Sequence, residues 1–497
     1  SRQAIGTGVF FGMIVAVSVG ILLVPFFFVL IYKAKGKFNR KRLSGAGLIL
    51  LAAGTGLSSC QIGKSYTRPD MPLPARLDTL TQDTASIGDL SWWELYNDTT
   101  LQQLIHRALT YNKDLKIASA RMNELAALKR VDFANMFPQA TARLNGNRET
   151  TNYGGDNFDA DSELSLTASI SWELDLWGNL RWARDRSTAE FLASVENCRA
   201  VKMGLVAQVA QSYFELMALD NELAIVRRTL EARREGVRLA EIRFKGGLTS
   251  EIVFQQAKVE LAKTATMVPD LERRISLKES EIALLTGDFP YAVNRNILPE
   301  EIQLPNALPL GLPSTLLERR PDIRKAEREL MAAHAEVGLA YTNMFPRLAL
   351  TATLGTESET LRDFLKSPYS YLVGNLLSPL FAMGKNRAAL KAKRAAYEGA
   401  VAEYEQTVLT AFKETHDAII NFNKIKDIYE SRRQLAEASR TAVELAQLQY
   451  INGVIGYLDL LDAQRNYFDA QVSLSNAVCD KQLMIINLYK ALGGGWK

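Results

Sequence analysis

From Leu164 to Leu176 every even-numbered residue is apolar and every odd-numbered one is polar. Leu164, Leu166, Ala168, Ile170, Trp172, Leu174 and Leu176 alternate with Ser165, Thr167, Ser169, Ser171, Glu173 and Asp175. Successive side chains of a strand point to opposite faces, so this run is a strand with one apolar and one wet face. Strands of soluble proteins usually span about 5–6 residues, whereas a tilted strand of about 9–11 crosses a bilayer. The alternation returns at Ala140, Ala142 and Leu144, at Leu348, Leu350, Ala352 and Leu354, and more loosely from Tyr369 to Phe381. Four strands in two hairpins are expected, with the polar segments 145–162 and 356–367 as outer loops. Trp172, Trp177 and Trp182, with Tyr369 and Tyr371, are expected as aromatic girdles at the membrane interfaces.

Four strands in lipid cannot stand alone, because an open edge leaves backbone groups unsatisfied in hydrocarbon. Other copies of the chain must complete the barrel. Two copies supply about 8 strands and three about 12, both within the range of closed barrels.

The layout occurs twice. Ala134-Asn135-Met136-Phe137-Pro138 returns 208 residues later as Thr342-Asn343-Met344-Phe345-Pro346. Leu239-Ala240-Glu241-Ile242-Arg243-Phe244-Lys245-Gly246-Gly247 returns 206 residues later as Leu445-Ala446-Gln447-Leu448-Gln449-Tyr450-Ile451-Asn452-Gly453. A period near two hundred residues marks a duplicated domain rather than a solenoid. After Gly178 and after Gly384 the chain runs for some sixty residues with almost no Gly or Pro. In the second run Tyr397, Val401, Tyr404, Val408, Ala411, Ile419, Phe422 and Ile425 recur mostly at steps of three and four, the stripe of a coiled-coil-like helix. At ~1.5 Å per residue each run reaches roughly 90–100 Å, a length suited to bridging the space between two membranes. Gly246-Gly247 and Asn452-Gly453 are expected to break the helices, and a second long run then returns toward the strands.

The first fifty-nine residues hold seven basic residues and no acidic one. Val9 to Tyr32 is apolar and long enough to span a bilayer. A basic cluster from Lys33 to Arg42 follows, then a shorter apolar run ending Leu57-Ser58-Ser59-Cys60. This second part resembles a bacterial lipoprotein signal, which implies cleavage before Cys60 and a covalent lipid on its sulfur. Without residues 1–59 the chain keeps 52 basic and 55 acidic residues, net −3, which argues against nucleic acid as a partner. Residues 1–37, from Gly6 through Phe27 especially, resemble the last transmembrane helix of resistance-nodulation-division pumps. That implies an in-frame fusion or a start assigned too early.

With these features together the chain resembles the TolC-like outer-membrane factors, in particular the lipoprotein subfamily of multidrug efflux channels. The resemblance runs from about Cys60 to Leu492. Its most specific stretches are Leu316-Leu317-Glu318-Arg319-Arg320-Pro321-Asp322-Ile323-Arg324-Lys325-Ala326-Glu327, Asn343-Met344-Phe345-Pro346, and Gly453 with Tyr457-Leu458-Asp459-Leu460-Leu461-Asp462-Ala463-Gln464. It implies a mainly α fold with transmembrane β: duplicated half-repeats forming a long periplasmic α-helical barrel, and four strands per chain completing a twelve-stranded outer-membrane barrel in a homotrimer. The implied layout is a pump-like segment (1–37), a signal peptide (38–59), an N-terminal linker (60–94), a first repeat (95–288), a linker (289–312), a second repeat (313–492) and a tail (493–497). The implied function is a passive exit duct in the cell outer membrane, fed by a periplasmic adaptor and a resistance-nodulation-division inner-membrane pump.

In that family an Asp-x-x-Asp lines the periplasmic entrance, and the match carries to Asp459 and Asp462. Six carboxylates around a narrow pore would favour cations and offer a site for divalent-ion block. On their residue types alone, two acids in a first helical turn read first as caps that satisfy the helix dipole, and it is the resemblance that turns the reading toward a pore lining. The equivalent positions of the first half are Val253 and Gln256, so each ring takes one acid per protomer. Tyr450 aligns with a tyrosine that helps hold the entrance shut in family members.

His106, His334 and His416 are scattered with no second His or Cys at ligand spacing, and no phosphate loop or nucleophile elbow is present. No enzymatic activity, metal or cofactor beyond the lipid is expected. Two rival readings lack a pore: a periplasmic adaptor, which needs no strands with a lipid face, and a lipid-anchored coiled-coil scaffold, which needs no barrel.

Overall fold

A computed structural model describes residues 61–72, 91–95, 98–151, 159–295, 313–359, 362–364, 366–379 and 381–496. The readings of residues 1–37 and 38–59 and of Cys60 lie outside the described residues.

The elements follow in the order α1 (Trp92–Leu95), α2 (Thr99–Tyr111), α3 (Lys113–Ala134), β1 (Gln139–Thr151), β2 (Asp159–Leu174), α4 (Asn179–Lys245), α5 (Glu251–Thr286), α6 (Pro313–Arg319), α7 (Pro321–Thr342), β3 (Arg347–Ser358), β4 (Pro368–Leu377), α8 (Lys385–Ile451) and α9 (Tyr457–Ala491). Each half therefore reads helix, β-hairpin, long helix, shorter helix. The returning helices α5 and α9 have 36 and 35 residues against 67 for α4 and α8. Helices α3 and α7, of 22 residues each, run beside the remaining length.

The strands form one antiparallel sheet in the order β1-β2-β3-β4. Its registers align even with even residues: Ala142 with Ala168, Ile170 with Ala352, and Ala352 with Leu372. One face therefore carries Ala140, Leu166, Ile170, Trp172, Leu350, Leu372 and Leu376, and the other Thr141, Ser169, Ser171, Thr351, Thr353 and Asn375. Ser169 and Thr353 share a hydrogen bond of 3.0 Å across the polar face. The apolar face stays exposed in the chain, with Ile170 54% and Leu372 73% accessible. Lipid is the solvent that suits it, and the polar face then lines the lumen. Among the described residues no helix is long and apolar enough to cross a membrane.

Two expectations need correction. The first outer loop is far shorter than 145–162, because β1 and β2 pair continuously out to Thr151 and Asp159. Residues 145–150 are polar or glycine and all exposed, so the hairpin continues beyond the apolar band as a polar ribbon. The aromatic girdle shrinks as well. Trp172 lies on the lipid face, but Tyr369 and Tyr371 pair with Gly355 and Thr353 on the polar face and stack on each other with centroids 6.0 Å apart. Trp182 is buried in α4, where its ring fills the space a Cβ on Gly338 would need. Trp177 donates to the Pro346 carbonyl at 2.6 Å.

Each strand continues into a helix, and the helices keep the strands' order: α3 packs on α4, α4 on α7, and α7 on α8. Asp175 starts α4 by accepting from the amides of Leu180 and Arg181 at 3.0 and 3.1 Å. The main core lies further down α4, where Val209, Tyr213, Leu216 and Val226 repeat at helical spacing and meet Leu271, Ile282, Val478 and Leu488. An N-terminal strap crosses the upper helices. Ile62 binds Trp177 and Trp182 through its backbone, and Arg68 forms a bidentate pair with Glu327 at 2.7 and 2.6 Å.

Candidate functional site

Both long helices end by the same device. Gly247 and Gly453 take positive φ of 71° and 74°, so Leu248 N bonds back to Arg243 O and Val454 N to Gln449 O, each at 2.8 Å. The two tight turns bring the tips of α4–α5 and α8–α9 together, and all the tip residues inferred from sequence lie here.

Asp459 and Asp462 project from the first turns of α9 on its exposed side, while the neighbouring Leu460 and Leu461 are buried. Asp459 accepts from the Gly456 amide at 3.0 Å. It satisfies an otherwise orphan N–H and places a negative charge at the positive end of the helix. Asp462 accepts from Asn466 Nδ2 at 3.2 Å, one turn on. The capping role and an exposed charge therefore coexist in Asp459. Gln256, the first-half counterpart of Asp462, is turned inward and its Oε1 is buried without a hydrogen-bond partner among the described residues.

Tyr450 is 6% exposed and packs with Ala446 and Leu460, and its ring lies 5.7 Å from that of Tyr457. Its hydroxyl is buried with no hydrogen-bond partner among the described residues. What holds the ring is Arg243 of the first half, whose guanidinium sits 4.7 Å above its centroid while Nη1 donates to the Tyr450 carbonyl at 3.4 Å. The first-half counterpart of Tyr450, Phe244, stacks instead on Phe254 of its own hairpin at 6.1 Å.

A second tie was not anticipated from the sequence. Glu260 of α5 is 4% exposed and is bonded by Arg233 of α4 and by Arg465 of α9, with Lys263 at 3.3 Å. Arg233 also donates to the Glu260 carbonyl at 3.1 Å. Burial pushes this carboxyl up, but the bonds from Arg465 and Arg233 outweigh it and hold the pKa at about 2. A legible signal existed. Ala257, Glu260, Thr264, Leu271 and Ile275 are buried at steps of three, four and seven, so an acid occupies a position of the packing stripe.

The tip thus combines an exposed acidic pair with two cross-half locks beneath it. Such a construction can hold a bundle end closed while presenting charge to whatever passes. Among the described residues no group of three His, Cys, Asp or Glu side chains is placed to hold a metal ion.

Comparisons with known proteins agree with this architecture. The family profile described as outer membrane efflux protein matches residues 104–288 and, separately, 312–494. Outer membrane protein OprJ of Pseudomonas aeruginosa is 31% identical over 473 residues, 92% of this chain and 97% of OprJ. The cation efflux system protein CusC of Escherichia coli is 28% identical over 92% of this chain and all of CusC. Among solved structures the outer-membrane channel OprN superposes with a TM-score of 0.82 at 31% identity, covering 88% of this chain and all of that one.

Proposed function

This chain belongs to the outer membrane efflux protein family, and from that premise we propose that three copies assemble into one gated duct serving a tripartite pump. The chain is an outer-membrane efflux channel that reaches into the periplasm. The observation that carries the proposal is the sheet: apolar on one face, polar on the other, and open at both β1 and β4. Each open edge carries a row of unpaired backbone groups that must be satisfied in lipid, and β4 of one copy against β1 of the next keeps the antiparallel order. Three copies give about twelve strands, a closed barrel of ordinary size.

In this reading substrate is handed over by a periplasmic adaptor and a resistance-nodulation-division inner-membrane pump, and it moves through the duct passively. Asp459 and Asp462 form two acidic rings at the inner entrance, and Tyr450, clamped by Arg243, holds the hairpin tips together. The exposed apolar residues at the tips, Leu248, Ile252, Val454 and Leu458, suit a docking partner. Cys60 carries lipid. Gln61, next in sequence, donates to Asp185 Oδ2 at 3.2 Å near the foot of the sheet, a position compatible with an anchor in the inner leaflet.

The test is the purified mature protein in a planar bilayer, with its mass in detergent measured in parallel. A trimer giving small cation-selective currents that divalent ions block supports the proposal. A verified trimer without any pore overturns it and favours a scaffold.

A further inference from the structure

Where the sheet gives way to the helices, an open cavity of about 780 Å³ lies over one face of α7. Its walls carry Arg186 of α4, Arg347 at the start of β3, and Lys385 and Lys393 at the start of α8, against a single lining acid, Glu336. Leu339, Phe345 and Leu377 supply an apolar floor.

One feature sets this cavity beneath the polar, lumen-facing side of the sheet, and a second sets it opposite the N-terminal strap. Arg347 and Leu377 pair directly and are odd-numbered, so they belong to the polar face of the sheet. On α7, Glu327, His334 and Gly338 meet Arg68 and Tyr66 of the strap and Trp182, whereas Glu336, Leu339, Ala340 and Asn343 line the cavity. At ~3.6 residues per turn these two sets lie on opposite sides of the helix.

The charges are unequally spent. Arg186 has Asp132 at 3.4 Å and Glu190 at 3.7 Å, and Lys393 has Glu336 at 2.5 Å. Arg347 donates to the neutral Asn343 at 2.6 Å, with Glu173 only at 4.0 Å. Lys385 has no carboxylate within ion-pair distance among the described residues, and it stands in the first turn of α8, where the helix dipole disfavours a cation. Two bases beside an apolar floor, in a cavity of ligand size, are complementary to an anion attached to an apolar body.

We infer that this cavity is a lumenal binding site for anionic amphiphiles, a carboxylate, sulfonate or phosphate on a hydrophobic skeleton, with Arg347 and Lys385 as the anion ligands. This deepens the exit-duct reading by naming a class of cargo, and it rests on that reading for the cavity's access to the transported stream. A molecule released past the acidic tip would be held here before entering the barrel.

The test is calorimetric titration of the full-length trimer, in non-ionic detergent at low salt, with 2-naphthalenesulfonate and with the cation 2-naphthylmethylammonium. The sulfonate should bind about once per protomer and the cation should not. Arg347→Gln with Lys385→Gln should weaken the sulfonate about tenfold or more. Glu336→Gln should tighten it, because Lys393 is released, and a gain of affinity does not arise from misfolding. Equal binding of the two probes, or no change in either variant, overturns the inference. Conductance of the same preparations is read separately, so a pore without the site and a site without a pore are distinct results.

Discussion

Glu260 of α5 and Arg465 of α9 form an ion pair that joins the two halves of the chain at the tip. The same carboxylate also holds Arg233, so three helices meet on one buried acid. Removing one partner of a buried pair strands the other's charge, which costs more than the pair itself contributes.

Glu260→Gln should therefore destabilise the tip by about 3 kcal/mol, read as faster hydrogen exchange in residues 251–286. In the unaltered protein this carboxyl sits at about 2 against an ordinary 4.5. Its contribution is complete above the ordinary value and is lost as pH falls from there toward 2. Exchange corrected for intrinsic rate should rise across that window more steeply in the wild type than in the variant, where Glu281, also held below its ordinary value, still responds.

Asp459→Asn with Asp462→Asn keeps side-chain oxygens for the Gly456 amide and Asn466 while removing the charge. Cation selectivity and divalent block should fall while tip stability changes by less than about 1 kcal/mol. Asp459→Ala should lose both selectivity and about 1 kcal/mol of cap. If the double Asn variant remains fully cation-selective in bilayers, the acidic pair does not face the pore.

Because the Tyr450 hydroxyl has no partner among the described residues while its ring lies under Arg243, Tyr450→Phe should leave the closed-state current unchanged. Arg243→Gln should raise it. The reverse ranking in single-channel records would mean that a hydrogen bond to the hydroxyl, and not the ring contact, holds the tips together.

Ile170→Arg should impair membrane assembly, at a cost of about 2–4 kcal/mol near the bilayer midplane. Ser171→Arg, one residue along on the polar face, should assemble normally. Heat-resistant trimer in the membrane fraction distinguishes them, and equal yields would remove the assignment of the two faces.

Much of the fold was legible because periodicity is a property of neighbours in sequence. The even residues from Leu164 to Leu174 identify the lipid face without any tertiary information, and the Gly246-Gly247 and Asn452-Gly453 breaks fall where the chain turns. The girdle reading failed at Tyr369, Tyr371 and Trp182 because an aromatic's preference for strands and interfaces does not say which face it takes. At the candidate site the acidic pair was visible as a motif, but the cross-half partners of Glu260 and Tyr450, Arg465 and Arg243, lie 205 and 207 residues away in sequence. Arg243, Arg233 and Arg465 look like ordinary charges of solvated helix faces until the hairpins are brought together.

The short connection from β2 into the long helix α4, residues 175–178, has a mechanical consequence. At the barrel end the ladder fixes spacing and tilt; at the other end only side-chain contacts do. A 67-residue helix is a lever roughly 100 Å long. A pivot of about 5° at its clamped end would carry the far end sideways by roughly 9 Å, given that length. Wide travel at one end thus demands little rotation at the other, and it is opposed both by the core around Val209, Tyr213 and Leu216 and by the side chains that tie the tips.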